Sequence, residues 1–161
     1  MDNREYFIHR WTIEQPKFGK VIRAIPEGQL DYKPHERSKS AGDLAWQLAE
    51  EQRILIGLLD RGEIHFDERQ RPDTVEEIAK AYESATAELG ERLKTIDETK
   101  WTSEAKFFFG DKVGGTNSVM EYMWGFLVDL IHHRGQLTVY LRPMGGKVPA
   151  IYGPSADDPG R

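Results

Sequence analysis

The chain has 161 residues, with 22 Lys and Arg against 27 Asp and Glu, a net charge of -5. That length suits one domain with a buried core, and the acidic balance argues against nucleic acid as the main partner, because phosphate binding wants a basic face. The sequence contains no cysteine, which excludes disulfides, thiolate metal ligands and a cysteine nucleophile.

The opening stretch MDNREYFIHRW carries charges where a signal peptide needs apolar residues. No apolar run approaches the ~18 residues of a membrane span. The expectation is a cytoplasmic protein without a membrane partner, one domain over residues 1–161.

Four helices are predicted. In the first, Asp2 to Ile25, Phe7, Trp11, Phe18, Val21 and Ile25 recur at helical spacing. Pro16 predicts a kink or break inside it, and Pro26 and Gly28 end it. The second runs from Ser40 to Arg61, with Leu44, Leu48, Leu55, Leu58 and Leu59 as its stripe. Ser40 and Asp43 form a capping box, and Gly62 is its C-terminal cap. The third, Thr74 to Ile96, carries Val75, Ile78, Tyr82, Ala85, Leu89, Leu93 and Ile96 without a polar intrusion and reads as scaffold. Thr74 and Glu77 fit a second capping box.

Some twenty residues then separate it from the fourth helix. They read as a long loop whose Phe107 to Phe109 pack over one end of the bundle. The fourth helix starts near Ser118, capped with Glu121, and its stripe is Val119, Tyr122, Phe126, Leu130, Leu137 and Tyr140. Pro143 and Gly145 end it, and the tail from about residue 147 is expected to fray. The predicted fold is all-α, a four-helix bundle whose long connections imply a crossover.

Two stripes are interrupted. Asp129 and His133, four apart, fall in the seam of the fourth helix, with His132 and Gln136 on its flank. Gln47 and Glu51, again four apart, interrupt the second. Buried polar groups need partners or a metal, and bundle cores build metal sites from inward groups on facing helices. The same residues can instead satisfy one another: Asp129 with His133, Gln47 with a backbone carbonyl, Glu51 with water at the stripe's edge. His9, His35 and His65 carry less signal, and Arg134 reads as a structural ion pair or a cap on helix carbonyls.

At HHRGQLTVYLRPMGGKVPAIYG the sequence resembles the DinB-like family of helical bundles, the DinB/YfiT superfamily. IPEGQLDYKPHERSKSAGDLAWQLAEE resembles the family's first loop and second helix, and the resemblance spans essentially the whole chain. It implies a bundle, often dimeric, that binds a divalent metal, commonly nickel or zinc, through three histidines. Characterised relatives transfer or isomerise with small thiols such as bacillithiol or mycothiol. By this resemblance the family's final histidine is His133, its partner four residues earlier is replaced by Asp129, and the second-helix histidine is replaced by Gln47.

A metal set of Gln47, Asp129 and His133, with Glu51 and waters nearby, is harder than three imidazoles. It shifts preference from nickel and zinc toward manganese, iron(II) or magnesium. Two functions follow as expectations. In one, a homodimeric metal-dependent enzyme moves a low-molecular-weight thiol onto a small electrophilic substrate. Glu51 is then the catalytic base, its pKa raised by burial. In the other, a non-catalytic dimeric bundle, stress-related or ligand-binding, has lost the metal.

Overall fold

The computed structural model describes residues 1–67 and 69–160. In chain order these form α1 (Asn3–Arg23), α2 (Ala41–Arg61), β1 (Glu63–Ile64), α3 (Val75–Thr95), α4 (Glu98–Thr102), β2 (Glu104–Phe109), β3 (Lys112–Ser118) and α5 (Val119–Leu141). Among the described residues no helix is long and apolar enough to cross a membrane.

The helix starts follow from local chemistry. Ser40 and Ser118 each accept from the third backbone N–H of their helix and receive the reciprocal carboxylate of Asp43 or Glu121. Asp2 and Glu5 do the same for α1. Thr74 caps α3 through the Glu77 N–H, but the Glu77 carboxylate takes the Thr74 hydroxyl instead of closing the box. Gly62 ends α2 in the left-handed region, φ 74°, which an L side chain rarely adopts.

Pro16 does not break α1. Thr12 and Pro16 both lie on the exposed face, so the carbonyl that proline leaves without an amide partner is on the solvent side. Buried Trp11, Gln15 and Phe18 hold the helix across that turn.

The fold is mostly helical, but it is not all-α. The stretch expected as a loop is α4 followed by a hairpin, and β1 adds to its edge to give a sheet ordered β1-β2-β3. Glu63 lies opposite Lys106 in a parallel pair, and Glu104 lies opposite Ser118 in an antiparallel one. A bulge falls between Phe107 and Phe108. The turn is Gly110–Asp111, with Gly110 at φ 57°, the positive φ that a two-residue hairpin loop demands at its first position.

α2 packs against α3 and α5, and α1 packs against the same two helices. Successive α1 and α2 are therefore not the main neighbours, and the chain between them crosses the bundle end. Ala41 N–H to Tyr32 O (2.9 Å) and Gly42 N–H to Leu30 O (2.7 Å) pin that crossing to the start of α2.

The core has two apolar halves. One gathers Phe18, Leu44, Leu48, Ile78, Leu137 and Leu141; the other gathers Phe7, Leu55, Leu58, Leu89, Trp101 and Met123. Between them, mid-helix, lie the buried polar residues Glu14, Gln15, Glu51, Gln52 and Arg134. Gln52 accepts from Trp11 Nε1 at 3.3 Å and donates to Gln15 Oε1 at 3.1 Å, which tie α1 to α2. Glu14 and Arg134 pair at 2.7 Å, with the Tyr152 hydroxyl donating to Glu14 at 2.8 Å.

Tyr152 belongs to the tail, which does not fray as expected. It has no regular element, but Asp157 accepts from Arg142 Nε (2.9 Å) and Val148 N–H (3.0 Å), and Asp158 accepts from Ala150 N–H (2.8 Å).

Candidate metal centre

The polar layer opens to the surface between α2 and α5. The buried stripe of α5 is Val119, Met123, Leu127, Leu130, Arg134, Leu137 and Leu141. This is one position round the helix from the seam expected from sequence. Asp129 and His133 are therefore not in the core seam. They sit on its flank, where their side chains are 51 % and 16 % exposed. The difference has a physical cause: α5 is apolar nearly all round at its start, so periodicity alone does not choose a face, while Arg134 makes the structural ion pair expected of it, with Glu14.

α2 supplies the buried part of the site. Glu51 is only 2 % exposed, and its carboxylate comes to the Asp129 and His133 side chains, with one donor atom from each lying within 4.8 Å of the others. Gln47 Nε2 donates to Glu51 Oε1 at 2.7 Å, while Lys39 Nζ donates to Gln47 Oε1 at 2.5 Å. Glu51 Oε2 is buried with no hydrogen-bond partner.

Burial, which disfavours the charged form, pushes the Glu51 carboxyl up to about 8. The negative charge of nearby Asp129 adds to this, against the Gln47 hydrogen bond and the Lys39 charge. Asp129 and Glu51 are close enough to interact, but no hydrogen bond of acceptable geometry takes the free oxygen.

His133 has an acceptor oxygen beside each nitrogen. Nδ1 lies 2.7 Å from Gln136 Oε1, and Nε2 lies 3.3 Å from Asp129 Oδ2. With Gln136 accepting, Nδ1 carries the proton and the Nε2 lone pair is turned toward the carboxylates. Two lone pairs at that separation repel unless a cation or a proton stands between them. A metal-bound imidazole has this same arrangement, its second nitrogen donating to a fixed acceptor.

The donors present thus fit a divalent ion: two carboxylates and one imidazole, with an orphaned buried oxygen among them. The structure brings Glu51 to Asp129 and His133. It puts Gln47 behind Glu51, with its amide oxygen turned to Lys39. Gln136, which sequence reasoning left on the flank, orients His133. His132 is exposed, and His35 lies away in the first connection. His65 stacks on Phe108 with ring centroids 4.4 Å apart.

The family model described as "DinB family" matches residues 1–160. The chain belongs to the DinB family. A DinB relative, "Uncharacterized protein YrdA" of Bacillus subtilis, is 26 % identical over 156 residues, 96 % of this chain and 90 % of that protein. A crystal structure of a DinB-like protein from Bacillus cereus superposes with a TM-score of 0.75 at 24 % identity, covering 92 % of this chain and 97 % of that one. The DinB-like protein YjoA of Bacillus subtilis superposes with a TM-score of 0.70 at 18 % identity, covering 87 % and 92 %. These two share the DinB fold with this chain.

Proposed function

We propose that the protein is a cytoplasmic, homodimeric, divalent-metal-dependent enzyme whose metal is held by Glu51, Asp129 and His133. The observation that carries this reading is the buried Glu51 Oε2, which has no partner and lies beside an oriented imidazole and a second carboxylate. Leaving such an atom unmet disfavours the fold by about 1–3 kcal/mol, and a cation is the partner the surrounding donors suit. Glu51 thereby takes the ligand place first given to Gln47, and Gln47 positions Glu51.

A bound divalent ion would supply Lewis-acid polarisation and lower the pKa of a thiol or water beside it. Gln136 fixes the His133 tautomer, Gln47 holds one Glu51 oxygen, and Lys39 offsets part of the negative charge. Transfer of a small thiol to an electrophilic small molecule is the reaction that the DinB resemblance implies. Two carboxylates and one imidazole favour manganese or iron(II) and still admit zinc.

Elemental analysis of tag-free protein equilibrated with manganese, iron, nickel and zinc tests this. About one equivalent is expected in the parent, and none in His133→Ala or Glu51→Ala. Retention of metal in both variants would move the site elsewhere, and no metal in the parent would end the enzyme reading. One observation favours a non-catalytic bundle instead: Lys39, Gln47 and Glu51 already form one hydrogen-bonded chain, and Gln136 holds His133, without an ion.

A further inference from the structure

The groove that holds the polar cluster continues along both helices into an aromatic wall. α2 and α5 run antiparallel here, since the Tyr140 hydroxyl donates to Lys39 O at one end while Glu51 meets Asp129 further along. One turn beyond Asp129 on α5 stands Phe126, and one turn beyond Glu51 on α2 stands Ile54. Phe66, carried just past β1, stacks on Phe126 with ring centroids 6.3 Å apart and an interplanar angle of 19°. Phe107 of the hairpin closes on Phe66 at 5.4 Å.

Packing accounts for only one side of Phe66. Ile54 is buried and Phe107 and Phe126 are half-buried, but Phe66 remains 55 % exposed. With Phe109, which is 68 % exposed and meets Phe107 edge-on at 4.9 Å, Phe66 makes a contiguous exposed apolar patch beside the polar cluster, and such patches mark binding surfaces. At the opposite end Asp43, Glu50 and Asp67 are each paired with an arginine, which leaves Lys39 as the cation there. Lys39 makes no ion pair with a carboxylate among the described residues; its ammonium group rests on the Gln47 amide oxygen. Lys39, Gln47, Ile54 and Phe66 line one recess of about 210 Å³, and Gln47 is the residue that joins this recess to Glu51. The unpartnered Glu51 Oε2 therefore lies behind a surface that is charged at one end and aromatic at the other.

We propose that this groove selects a small molecule that joins a flat apolar group, of the size of a phenyl ring, to an anionic, metal-seeking head. The head sits at the Glu51–Asp129–His133 cluster on the Lys39 side, and the flat group lies against Phe66 and Phe126. Phe66 and Phe126 are then specificity-determining residues. This inference rests on the metal-centre reading above and names the substrate class of the same site.

The test compares benzohydroxamate with acetohydroxamate, two anionic chelators that differ in the ring, by titration calorimetry on zinc-equilibrated protein whose bound metal is measured separately. Comparing each variant's preference with the parent's removes the compounds' own difference in zinc affinity. The parent is expected to favour the aryl compound, and Phe66→Ala and Phe126→Ala to lower that preference about tenfold while retaining zinc. Phe66 is mostly exposed, so its alanine variant is expected to fold.

If zinc is bound and the preference is the same in the parent and both variants, the aromatic wall has no part in recognition and the inference fails, with the metal centre intact. If the parent binds none of manganese, iron, nickel and zinc, the metal reading fails and takes this one with it; if it holds another of them than zinc, the same titrations are run on that form. The elemental analysis tells the two failures apart.

Discussion

Gln47 and Glu51 stand one turn apart on α2, and the Gln47 amide satisfies one oxygen of a carboxyl whose other oxygen is buried with no partner. A half-satisfied buried carboxyl is easiest to keep neutral, and burial, aided by Asp129, pushes Glu51 up to about 8. The folded protein therefore holds a proton that the unfolded chain, with Glu51 near its ordinary 4.5, has released.

Stability falls with rising pH wherever the native state binds more protons than the unfolded state. For Glu51 the contribution is intact below about pH 4.5, declines from there, and is lost as pH passes the folded value near 8. Each unit of the shift corresponds to roughly 1.4 kcal/mol, so a few kcal/mol are involved over the span. In urea titrations of chelator-treated protein between pH 5 and 8, Glu51→Gln is expected to flatten the decline and to exceed the parent in stability at the alkaline end. Parallel curves for the two proteins would mean that Glu51 titrates normally.

Metal and proton compete for the same oxygen. Metal affinity is expected to rise from pH 6 to pH 8 in the parent, and metal binding to release a proton detectable with an indicator dye. Gln136→Ala frees the imidazole to turn and to change tautomer. A loss of about 10–100-fold in affinity is expected, against complete loss in His133→Ala. Equal effects of Gln136→Ala and Gln136→Glu would count against an orienting role, since glutamate still accepts from Nδ1.

On the far side of the polar layer, Arg134 and Glu14 form a buried pair at 2.7 Å, and Arg134 lies over the Phe18 ring at 4.6 Å. Removing one partner leaves a buried charge. Arg134→Ala is expected to lower stability by about 3–5 kcal/mol. The double variant Glu14→Leu with Arg134→Leu is expected to lose much less than the two single changes together. Denaturant midpoints for the four proteins check this, and strict additivity would show that the pair is not coupled. Tyr152→Phe, which removes the hydroxyl bridging both residues, is expected to cost about 1–2 kcal/mol.

Much of this was readable from sequence where chemistry is local. The serine caps, Gly62 and the bounds of α2 and α5 follow from side chains acting on their own backbone within three or four residues. The hairpin also had its signal, a Gly110–Asp111 pair between two short runs, but three consecutive phenylalanines masked the alternation that marks a strand. The Glu14–Arg134 pair was less visible, although Glu14 falls in register with Phe7, Trp11, Phe18 and Val21. A charged residue in an apolar stripe is informative only when its partner is known, and that partner lies 120 residues away. The site was half legible: Glu51 and His133 follow from spacing, but the rotation that puts Asp129 on the flank is set by tertiary packing.

The outward face of α5 carries the last expectation. Gly125, Val128, His132, Gly135 and Val139 are all exposed and recur at steps of three and four. A Cβ added at Gly125 or Gly135 would meet nothing within 4 Å in the same chain. In an isolated chain, alanine at either place gains about 1 kcal/mol of helix propensity with nothing opposing it. In the proposed homodimer this face is the place where two helices can approach closely, and added bulk there acts across the interface. Sedimentation velocity of the parent at micromolar concentration is expected to show twice the 18.5 kDa chain mass, and Val128→Arg to give the monomer. A parent that sediments at 18.5 kDa would rule the dimer out, and both alanine variants should then raise the melting temperature.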